Sequence, residues 1–415
     1  MQIQRVAITG VSAICGLGNS MNEVWDNALK GQSGISLIEG ANPEMWPVVF
    51  AGQVRNFEVS PDIIDPKEQK RFDTFIHYAL HAADEAVRSS GLLDSGYDPL
   101  MMGSIMGVGL GGFPMIEEMH TIYHDKGPRR VSPFFIPGFI PNMTSGKISL
   151  KYNMKGVNYA TSSACASASH AIGAAAMEIM MGRQDSMVTG GAEAVLSGLT
   201  MAGFSNMKAL SKWNDRPSEA SRPFDKERNG FVMGEGAGII VLENLEKAKA
   251  RGAKIIAEVV GFGATADAYH ITAPEPEGAG TVPCMEQALR YAGINKEDID
   301  YINAHGTSTP LGDIAETKAI KKVFGDHAYK LNVSSTKSMH GHLLGAAGGL
   351  ESVMCIKALE TGTIPPTINL NEADPECDLN YTANEAVKRE IRYALNNSFG
   401  FGGTNSTTIF KKFEG

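Results

Sequence analysis

Short apolar runs alternate along the chain with longer segments of helical periodicity. The short runs predict seven strands, at 3–8, 104–108, 157–160, 186–189, 255–260, 299–303 and 331–333. The longer segments predict helices, the clearest between Pro66 and Gly91, with others at 280–292, 312–323 and 343–359. In the clearest helix the apolar positions follow the three- and four-residue spacing of one buried stripe. Strands that alternate with helices favour an α/β fold with a largely parallel, buried sheet.

Two pairs of segments resemble each other within the chain. GFVMGEGAGIIVLENL, from Gly230, and SFGFGGTNSTTIFKKF, from Ser398, are both Gly-rich turns that lead into a β-like run. KIIAEVVGFG, from Lys254, and QRVAITGVSAICG, near the start, are both strands that end in glycine. These echoes predict a duplicated unit, with one half at 1–252 and the other at 253–415. Since no Pro- or Ser-rich linker separates the halves, we expect them to share one interface.

Composition and charge exclude several classes of protein. Of the 415 residues, 43% are hydrophobic and 20% are charged, which are the values of a globular chain and not of a disordered one. The formal net charge of −9 argues against a nucleic-acid-binding protein, because phosphate binding needs a basic field. The 46 glycines indicate tight turns or backbone that packs closely against other groups.

The cysteines and the uncharged segments predict a cytoplasmic protein. Five widely spaced cysteines without a CxxC pair form neither a disulfide framework nor a zinc site, and a reducing cytosol suits them best. The first residues lack a basic region followed by an unbroken apolar run, so we expect no signal peptide. The uncharged segment 156–177 is long enough to span a bilayer but is rich in Ser, Thr, Asn and Ala. It predicts a strand and a buried helix and no membrane insertion.

Cys165 is the candidate nucleophile, in the segment VNYATSSACASASHAIGAAAME. A β-rich run leads through a turn of small residues into an Ala-rich helix. Cys165 is therefore expected at that turn or in the first helical turn, where free N–H groups and the helix dipole favour a thiolate. The alternative is a buried structural cysteine, which is the usual environment of a free cysteine.

His305 follows a predicted strand in the segment YINAHGTSTPLGDIAE. The carboxyl edge of such a strand is the common place for function in open α/β sheets. The next helix starts at Gly312 or Asp313 and carries Glu316 in its first turns. The many Thr and Ser hydroxyls beside His305 favour a functional histidine over a core histidine held by backbone hydrogen bonds.

Two further segments carry candidate chemistry. In NVSSTKSMHGHLLGAAGGLES, Lys337, His340 and His342 lie within six positions, so the lysine can hold an acidic group or tune the charge of an imidazole. A surface lysine and a simple loop histidine are the alternatives. In NNSFGFGGTN, the glycines around Phe401 form a turn that can present a backbone N–H to an oxyanion.

A metal site is the competing interpretation of the histidines. His305, His340 and His342 can in principle gather with a carboxylate. However, an HxH pair is a weak signal, and the sequence contains no HExxH motif. With a cysteine nucleophile available, two histidines are better used as proton donors or oxyanion partners. We therefore predict no catalytic metal.

These four segments, in this order, resemble the β-ketoacyl-acyl-carrier-protein synthases, the condensing enzymes of fatty-acid and polyketide synthesis. The resemblance covers nearly the whole chain and is strongest in NAHGTSTPLGD, SSTKSMHGHLLGAAG, SRPFDKERNGFVMGEGAG and NSFGFGGTN. The motif details are similar to the type II, dissociated enzymes that elongate medium and long acyl chains. The resemblance implies a thiolase-like α/β fold, duplicated and five-layered (αβαβα). It also implies decarboxylative condensation of malonyl-acyl-carrier protein with an acyl group held on Cys165, which lengthens the chain by two carbons.

The resemblance also assigns roles to the motif residues. Cys165 matches the nucleophile of the N-terminal half, and His305 and His342 match the two catalytic histidines of the C-terminal half. The backbone N–H groups of Cys165 and Phe401 match the oxyanion hole. His340 stands where the family commonly has threonine. Four further residues match positions that orient the histidines. They are the catalytic lysine Lys337 and the network residues Asp313, Glu316 and Glu351.

A third set of matches concerns the substrates and partners. Phe204 and Phe401 match the gating phenylalanines of an acyl pocket. Leu110 matches a residue that lines the depth of this pocket. Phe135 matches a residue that reaches the pocket of the other subunit across a homodimer. For these four, ordinary core packing is the alternative. Thr307 and Thr309 match positions that bind the phosphopantetheine arriving on the carrier protein. The resemblance implies no cofactor, although some relatives bind a monovalent cation whose ligands the sequence does not place.

Local basic clusters on this acidic chain suggest an acidic partner surface. By resemblance they match the docking patch for acyl carrier protein, and a solvated face is the alternative. Lys67, Lys70 and Arg71 are spaced to share one helix face. The whole patch consists of Lys67, Lys70, Arg71, Arg129, Arg130 and Lys208.

Several other functions remain open at this point. A type II polyketide ketosynthase shares the motifs, and gating phenylalanines favour saturated acyl chains over poly-keto chains without deciding the matter. A non-condensing chain-length partner lacks the cysteine, and a thiolase uses a second cysteine as base where this chain has histidine. An inactive scaffold that binds carrier protein is disfavoured by the intact set of Cys165, His305 and His342.

Overall fold

The computed structural model describes residues 3–415. Its strands are β1 (Val6–Cys15), β2 (Ser36–Leu37), β3 (Phe50–Ala51), β4 (Met102–Gly107), β5 (Asn158–Thr161), β6 (Ser186–Glu193), β7 (Gly236–Asn244), β8 (Ala257–Ala266), β9 (Tyr301–Asn303), β10 (Asn332–Ser334), β11 (Thr363–Ile364), β12 (Val387–Lys388), β13 (Tyr393–Gly400) and β14 (Thr404–Lys412). Its α-helices are α1 (Met21–Leu29), α2 (Pro66–Gln69), α3 (Thr74–Ser90), α4 (Phe113–Lys126), α5 (Phe135–Phe139), α6 (Met143–Tyr152), α7 (Ser167–Met180), α8 (Gly198–Asn206), α9 (Leu245–Ala250), α10 (Thr281–Ala292), α11 (Pro310–Phe324), α12 (Lys337–His340) and α13 (Ala347–Thr361).

Ten strands form one hydrogen-bonded succession, in the order β10-β9-β13-β14-β8-β1-β7-β6-β4-β5. The two outermost pairings at each end are parallel, and the five central pairings are antiparallel. The prediction of a largely parallel sheet is therefore wrong. The central strands are buried on both faces, and such strands have the continuous apolar sequence that is typical of parallel sheets.

The strand order is symmetric about the β8–β1 pair, which confirms the predicted duplication. Counting β1 and β8 themselves, five strands lie on each side of this pairing, and strands at equal distance from it correspond. From the pairing outward, one side has the order β1, β7, β6, β4, β5 and the other has the order β8, β14, β13, β9, β10. The two echoes in the sequence fall on equivalent positions, since β7 corresponds to β14 and β1 to β8. The predicted boundary between residues 252 and 253 lies between α9 and β8.

The two halves of the succession, β1-β7-β6-β4-β5 and β8-β14-β13-β9-β10, form two layers, and helices form three more. This is the five-layered, thiolase-like arrangement that was expected. α3 and α6 cover the outer face of the first half, and α10 and α11 cover that of the second. The central layer consists of α7 and α13, which pack against each other and against strands of both halves. α7 approaches β4 closely because residue 107 is glycine, where an added Cβ would lie 2.2 Å from the backbone nitrogen of Ala168.

The clearest predicted helix is interrupted. The segment between Pro66 and Gly91 forms two helices, α2 and α3. Residues 70–73 separate them, and Asp73, the last of these, is the N-cap of α3. The apolar periodicity continues across this break, so the pattern alone does not reveal it. The segment 156–177, which was weighed as a membrane span, forms β5 and most of α7. Across residues 3–415, each helix falls short of the length and apolar character needed to cross a bilayer.

Candidate active site

The nucleophile candidate lies in a tight turn between β5 and α7. Ala164 has a left-handed backbone, with φ of 51°, and Cys165 follows immediately before the helix. The hydroxyl of Ser167 holds this turn, because it accepts a hydrogen bond from the Ser163 N–H at 2.8 Å and donates one to the Ala164 carbonyl at 2.7 Å. The turn therefore places the Cys165 side chain at the start of α7, as the sequence predicts.

The loop after β9 carries His305, and a buried carboxylate fixes its backbone. Glu316, on α11, accepts hydrogen bonds from the N–H groups of His305 at 2.8 Å and Gly306 at 2.7 Å. Burial raises the pKa of Glu316 to about 7, and these N–H groups oppose that rise. Glu316 thus holds the backbone of the segment that carries the histidine.

His342 brings the second imidazole into contact with the thiol. Its Nε2 lies 3.0 Å from Cys165 Sγ. The rings of His305 and His342 stand nearly perpendicular, with centroids 5.4 Å apart. One ligand-type atom from each of Cys165, His305 and His342 lies within 4.8 Å of the other two. The three side chains that the sequence separates by up to 177 positions therefore share one site.

Burial keeps all three groups neutral. It raises the pKa of Cys165 to about 11, although the nearby Lys337 charge and the Phe401 N–H act to lower that pKa. The expectation of a resting thiolate is therefore not supported, since desolvation outweighs the helix start. Burial and the Lys337 charge also hold the pKa values of His305 and His342 well below 6.5. At neutral pH the site contains a thiol beside two neutral imidazoles.

Two backbone N–H groups face the sulfur. Those of Cys165 and Phe401 both lower the pKa of the thiol through hydrogen bonding. The end of β13 packs tightly on the nucleophile turn, because a Cβ at Gly400 would lie 3.0 Å from the Cys165 nitrogen. A side chain at residue 400 would therefore crowd the nucleophile turn, which the glycine avoids. The Cys165 and Phe401 N–H groups are the pair of amides that the sequence predicts for an oxyanion.

Lys337 and Glu351 form a buried ion pair behind the histidines. Their side chains are 1% and 0% exposed, and Lys337 Nζ contacts the Glu351 carboxylate directly. Burial raises the pKa of Glu351 to about 7, and Lys337 opposes the rise. The surface lysine considered from the sequence is excluded. Through its charge this lysine disfavours protonation of both imidazoles and so acts on the site without lining its cavity.

His340 is buried outside the cavity, which it does not line. Its Nδ1 lies 2.7 Å from the Gly341 carbonyl and its Nε2 lies 3.0 Å from the Thr336 hydroxyl. Nδ1 must be the donor in this arrangement, because a carbonyl only accepts, so Nε2 accepts from Thr336. Burial lowers the pKa of His340 to about 3. It is a neutral core histidine and takes no part in the constellation.

A cavity of about 580 Å³ opens above the thiol. Of the predicted substrate residues, five line it, namely Leu110, Phe204, Thr307, Thr309 and Phe401, and Lys208 of the predicted docking residues lines it as well. Phe135 does not line it in this chain, because it lies on α5 and packs against Phe139 with ring centroids 4.9 Å apart. Asp313 also lies outside the cavity. It accepts hydrogen bonds from the N–H groups of Phe224 and Ser308 and so supports the loop that carries the threonines.

Sequence reasoning missed two aromatic walls of this cavity and one carboxylate that lies behind its lining. Phe231 packs edge-on against His342 and Phe204, with centroids 5.5 Å from each, and Phe399 lies 5.8 Å from the His305 ring. Both stand beside the Gly-rich turns of the internal echo, which is the signal that marks them. Glu193 binds the loop around Leu110 and has no local signal.

The basic residues lie on three separate surface elements. Lys67 belongs to α2 and Lys70 ends it, whereas Arg71 follows in the break before α3, so the prediction of one shared helix face is wrong. Arg71 packs its guanidinium 4.3 Å from the Phe134 ring centroid, which brings the break next to α5. Arg129 and Arg130 form the turn after α4, and Lys208 follows α8. Apart from the half-buried Arg71, the six are exposed.

Comparisons with known proteins agree over the whole chain. The family profile described as Beta-ketoacyl synthase, N-terminal domain, matches residues 4–248, and that described as Beta-ketoacyl synthase, C-terminal domain, matches residues 256–371. A 3-oxoacyl-[acyl-carrier-protein] synthase 2 from Staphylococcus aureus is 49% identical over 100% of this chain and 99% of its own length. The enzyme of the same name from Coxiella burnetii is 47% identical over 99% of each chain.

Solved structures share the fold at full length. A type II polyketide ketosynthase in complex with its acyl-carrier protein superposes with a TM-score of 0.92 at 33% identity, over 100% of both chains. A beta-ketoacyl synthase from Burkholderia phymatum superposes with a TM-score of 0.90 at 35% identity, over 99% of this chain and 100% of its own. The catalytic constellation, the duplicated five-layer fold and these matches together place the chain in the beta-ketoacyl synthase family.

Proposed function

We propose that this chain is a 3-oxoacyl-acyl-carrier-protein synthase of type II fatty-acid synthesis. It transfers an acyl group to Cys165 and condenses it with malonyl-acyl-carrier protein, with loss of carbon dioxide. The observation that carries the proposal is the contact of Cys165 Sγ with His342 Nε2, at 3.0 Å, beside His305 in a largely apolar cavity. The relatives that match over the full length of the chain carry the corresponding name.

The first half-reaction moves the acyl group from the carrier thiol to Cys165. Because the thiol pKa is about 11, attack on the thioester carbonyl must be accompanied by proton transfer to His342. The Cys165 and Phe401 N–H groups stabilise the oxyanion of the tetrahedral intermediate. When this intermediate collapses, the carrier thiolate leaves and takes the proton back from His342.

The second half-reaction forms the carbon–carbon bond. The malonyl thioester loses its carboxylate as carbon dioxide, and the electron pair of the broken bond gives an enolate. In the acyl-enzyme the sulfur no longer carries a proton for His342 Nε2 to accept, so His342 in its Nε2–H tautomer and His305 both donate N–H groups to the enolate oxygen, for which their low pKa values suit them at neutral pH. The enolate carbon attacks the acyl carbonyl, the Cys165 thiolate leaves, and a proton taken up from solvent, the one that the overall reaction consumes, restores the thiol.

We assign the polar and the apolar lining residues of the cavity to different parts of the substrate. Thr307 and Thr309 both line the cavity, with their hydroxyl oxygens 3.0 Å apart, and we assign them to the phosphopantetheine arm. Phe204 and Phe401 have ring centroids 6.4 Å apart and Leu110 lines the same cavity, as an acyl pocket requires. Phe135 is proposed to reach this pocket only from a second subunit.

A type II polyketide ketosynthase is the second candidate, because one structural neighbour is such an enzyme. The curated relatives at 46–50% identity favour the fatty-acid enzyme over it. The test is an assay of the purified chain with saturated acyl-carrier proteins and malonyl-carrier protein, in which we expect a 3-oxoacyl-carrier protein two carbons longer. Turnover only with poly-keto starters would support the second candidate instead.

We also propose that carrier protein docks on the basic patch defined by Lys67, Lys70, Arg71, Arg129, Arg130 and Lys208. Exposed basic side chains steer an acidic partner and lower its apparent KM. The double variant Lys67→Glu/Lys70→Glu is expected to raise the KM for acyl-carrier protein roughly tenfold and to leave kinetics with a small pantetheine thioester unchanged. Lys388→Glu, an exposed reversal on β12, is the matched control. An unchanged KM for carrier protein would exclude this patch.

A homodimer is proposed from the exposed edge of the sheet. β5 is an edge strand, and beside it Tyr159, Met177 and Met181 are 40–49% exposed. The outer edge of such a strand, flanked by apolar side chains, is a natural site for pairing with a second copy. Light scattering is expected to give twice the chain mass, and Tyr159→Asp is expected to lower it. A monomeric wild-type protein would contradict the proposal.

The reaction as proposed needs no cofactor, because decarboxylation drives it. A structural monovalent cation, as bound by some relatives, is proposed near the paired strands β9 and β13. The support is that Asn303 and Asn396, which face each other there, both have a buried side-chain oxygen without a hydrogen-bond partner in residues 3–415. Potassium is then expected to raise the unfolding temperature relative to tetramethylammonium. We propose a cytoplasmic location, with carrier proteins as partners and no nucleic acid.

A further inference from the structure

A single buried carboxylate joins two walls of the cavity. Glu193 ends β6, and its side chain is 0% exposed. It accepts hydrogen bonds from the backbone N–H groups of Gly109 at 2.8 Å, Leu110 at 3.1 Å and Gly111 at 2.9 Å. It accepts a fourth from Gly345 at 3.0 Å. Four backbone donors from two distant segments therefore converge on one side chain.

Both segments belong to the reaction cavity. Gly109 and Leu110 follow β4 and line it, as does Gly345, three residues after His342. The two segments touch backbone to backbone, since a Cβ at Gly345 would lie 2.1 Å from the Gly109 nitrogen. The Ser162 hydroxyl, in the turn before Cys165, also donates to the Gly109 carbonyl at 3.1 Å. The position of this loop is thus coupled to both catalytic segments.

Glu193 accepts hydrogen bonds from the N–H groups of all three residues of the loop. Two of its three residues are glycine, and Gly111 has a left-handed backbone with φ of 71°. Leu110 is 39% exposed and faces the cavity without being enclosed by core packing. A buried carboxylate is unfavourable unless hydrogen bonds compensate its desolvation, and here the N–H groups of the loop provide that compensation. The carboxylate and the loop therefore fix each other.

We propose that Glu193 is a positioning residue that determines which acyl chains the enzyme accepts. It holds Leu110 as a rigid wall of the acyl pocket and aligns that wall with the His342 segment. This inference rests on the proposed function, because it concerns the acyl specificity of the same site. Glu193 lies outside the cavity, so the residues that line the cavity do not by themselves reveal its role in acyl specificity.

The test compares acyl specificity in matched variants. Glu193→Gln keeps the shape of the side chain but turns one acceptor into an NH₂ group that opposes the loop N–H groups. Leu110→Ala removes the wall directly. Glu243→Gln is the control, because Glu243 is equally buried and lies on β7 opposite Ser186, at the other end of β6. For each protein kcat/KM is measured with carrier proteins that carry saturated acyl chains from C6 to C16.

We expect Glu193→Gln to change the ratio of kcat/KM between the longest and shortest chains roughly tenfold, in the direction of Leu110→Ala. Glu243→Gln is expected to keep the wild-type ratio. A Glu193→Gln profile parallel to that of the wild type, or an equal change in Glu243→Gln, would overturn the inference. If Glu193→Gln fails to fold, Glu193→Asp, which retracts the carboxylate from the loop, decides by the same criteria. Failure of the wild type to elongate any chain would instead overturn the proposed function.

Discussion

Replacing Cys165 with alanine will abolish acyl transfer and condensation. The cavity offers the acyl group no other thiol, since the remaining four cysteines of the chain lie outside its lining. Removal of the nucleophile of such a constellation costs at least roughly 1,000-fold in turnover. The measurement is the rate of 3-oxoacyl-carrier protein formation, with the thermal unfolding temperature as a check that the variant folds.

The control for this variant is Cys284→Ala. Cys284 is also buried, and burial likewise raises its pKa to about 11, but it lies on α10 away from the lining. We expect this variant to retain wild-type turnover within a few-fold. Residual turnover of Cys165→Ala at a tenth of the wild-type rate or more would show that Cys165 is not the nucleophile.

Replacing His305 with alanine will separate the two half-reactions. His342, and not His305, contacts the thiol, so acyl transfer to Cys165 should continue. Condensation should fall by roughly 100- to 10,000-fold, because the enolate oxygen loses one of its two N–H donors. Acyl-enzyme formation is measured by mixing the variant with labelled acyl-carrier protein and quenching the reaction. Condensation is measured as the release of carbon dioxide from malonyl-carrier protein.

Two further variants show whether this effect belongs to the N–H group. His305→Asn keeps a side-chain donor and should recover part of the lost rate. His340→Thr introduces the residue that relatives commonly carry at this buried position outside the cavity, and it should leave condensation nearly unchanged. Equal losses of acyl transfer and condensation in His305→Ala would contradict the division of roles between the histidines.

Local sequence was sufficient for much of the site. Cys165 lies before its helix and His305 lies at the carboxyl end of its strand, because a turn of small residues and a Gly-Thr-Ser loop are encoded within a few positions. The internal echoes likewise predicted a duplicated unit, with which the symmetric order of the strands agrees. These features depend on local propensity and periodicity, which a single sequence carries.

The features that sequence did not reveal depend on contacts between distant residues. The pKa of Cys165 depends on burial by the whole fold, which outweighs the helix start that the sequence shows. The helix break at 70–73 is stabilised from outside, since the Asp73 carboxylate accepts a hydrogen bond from the Met115 N–H at 2.9 Å. Glu193 acts on a loop 83 positions away. Such partners are chosen by the topology of the chain.

The most direct test of the account is intact-protein mass spectrometry of the acyl-enzyme. The wild type and Cys165→Ala are each mixed with saturated acyl-carrier proteins from C6 to C16, and then with malonyl-carrier protein. We expect the wild type to gain the mass of one acyl group and to lose it when malonyl-carrier protein is added, while Cys165→Ala gains nothing. A wild type that forms no adduct with any chain, or an adduct that persists in Cys165→Ala, would contradict covalent condensation at Cys165.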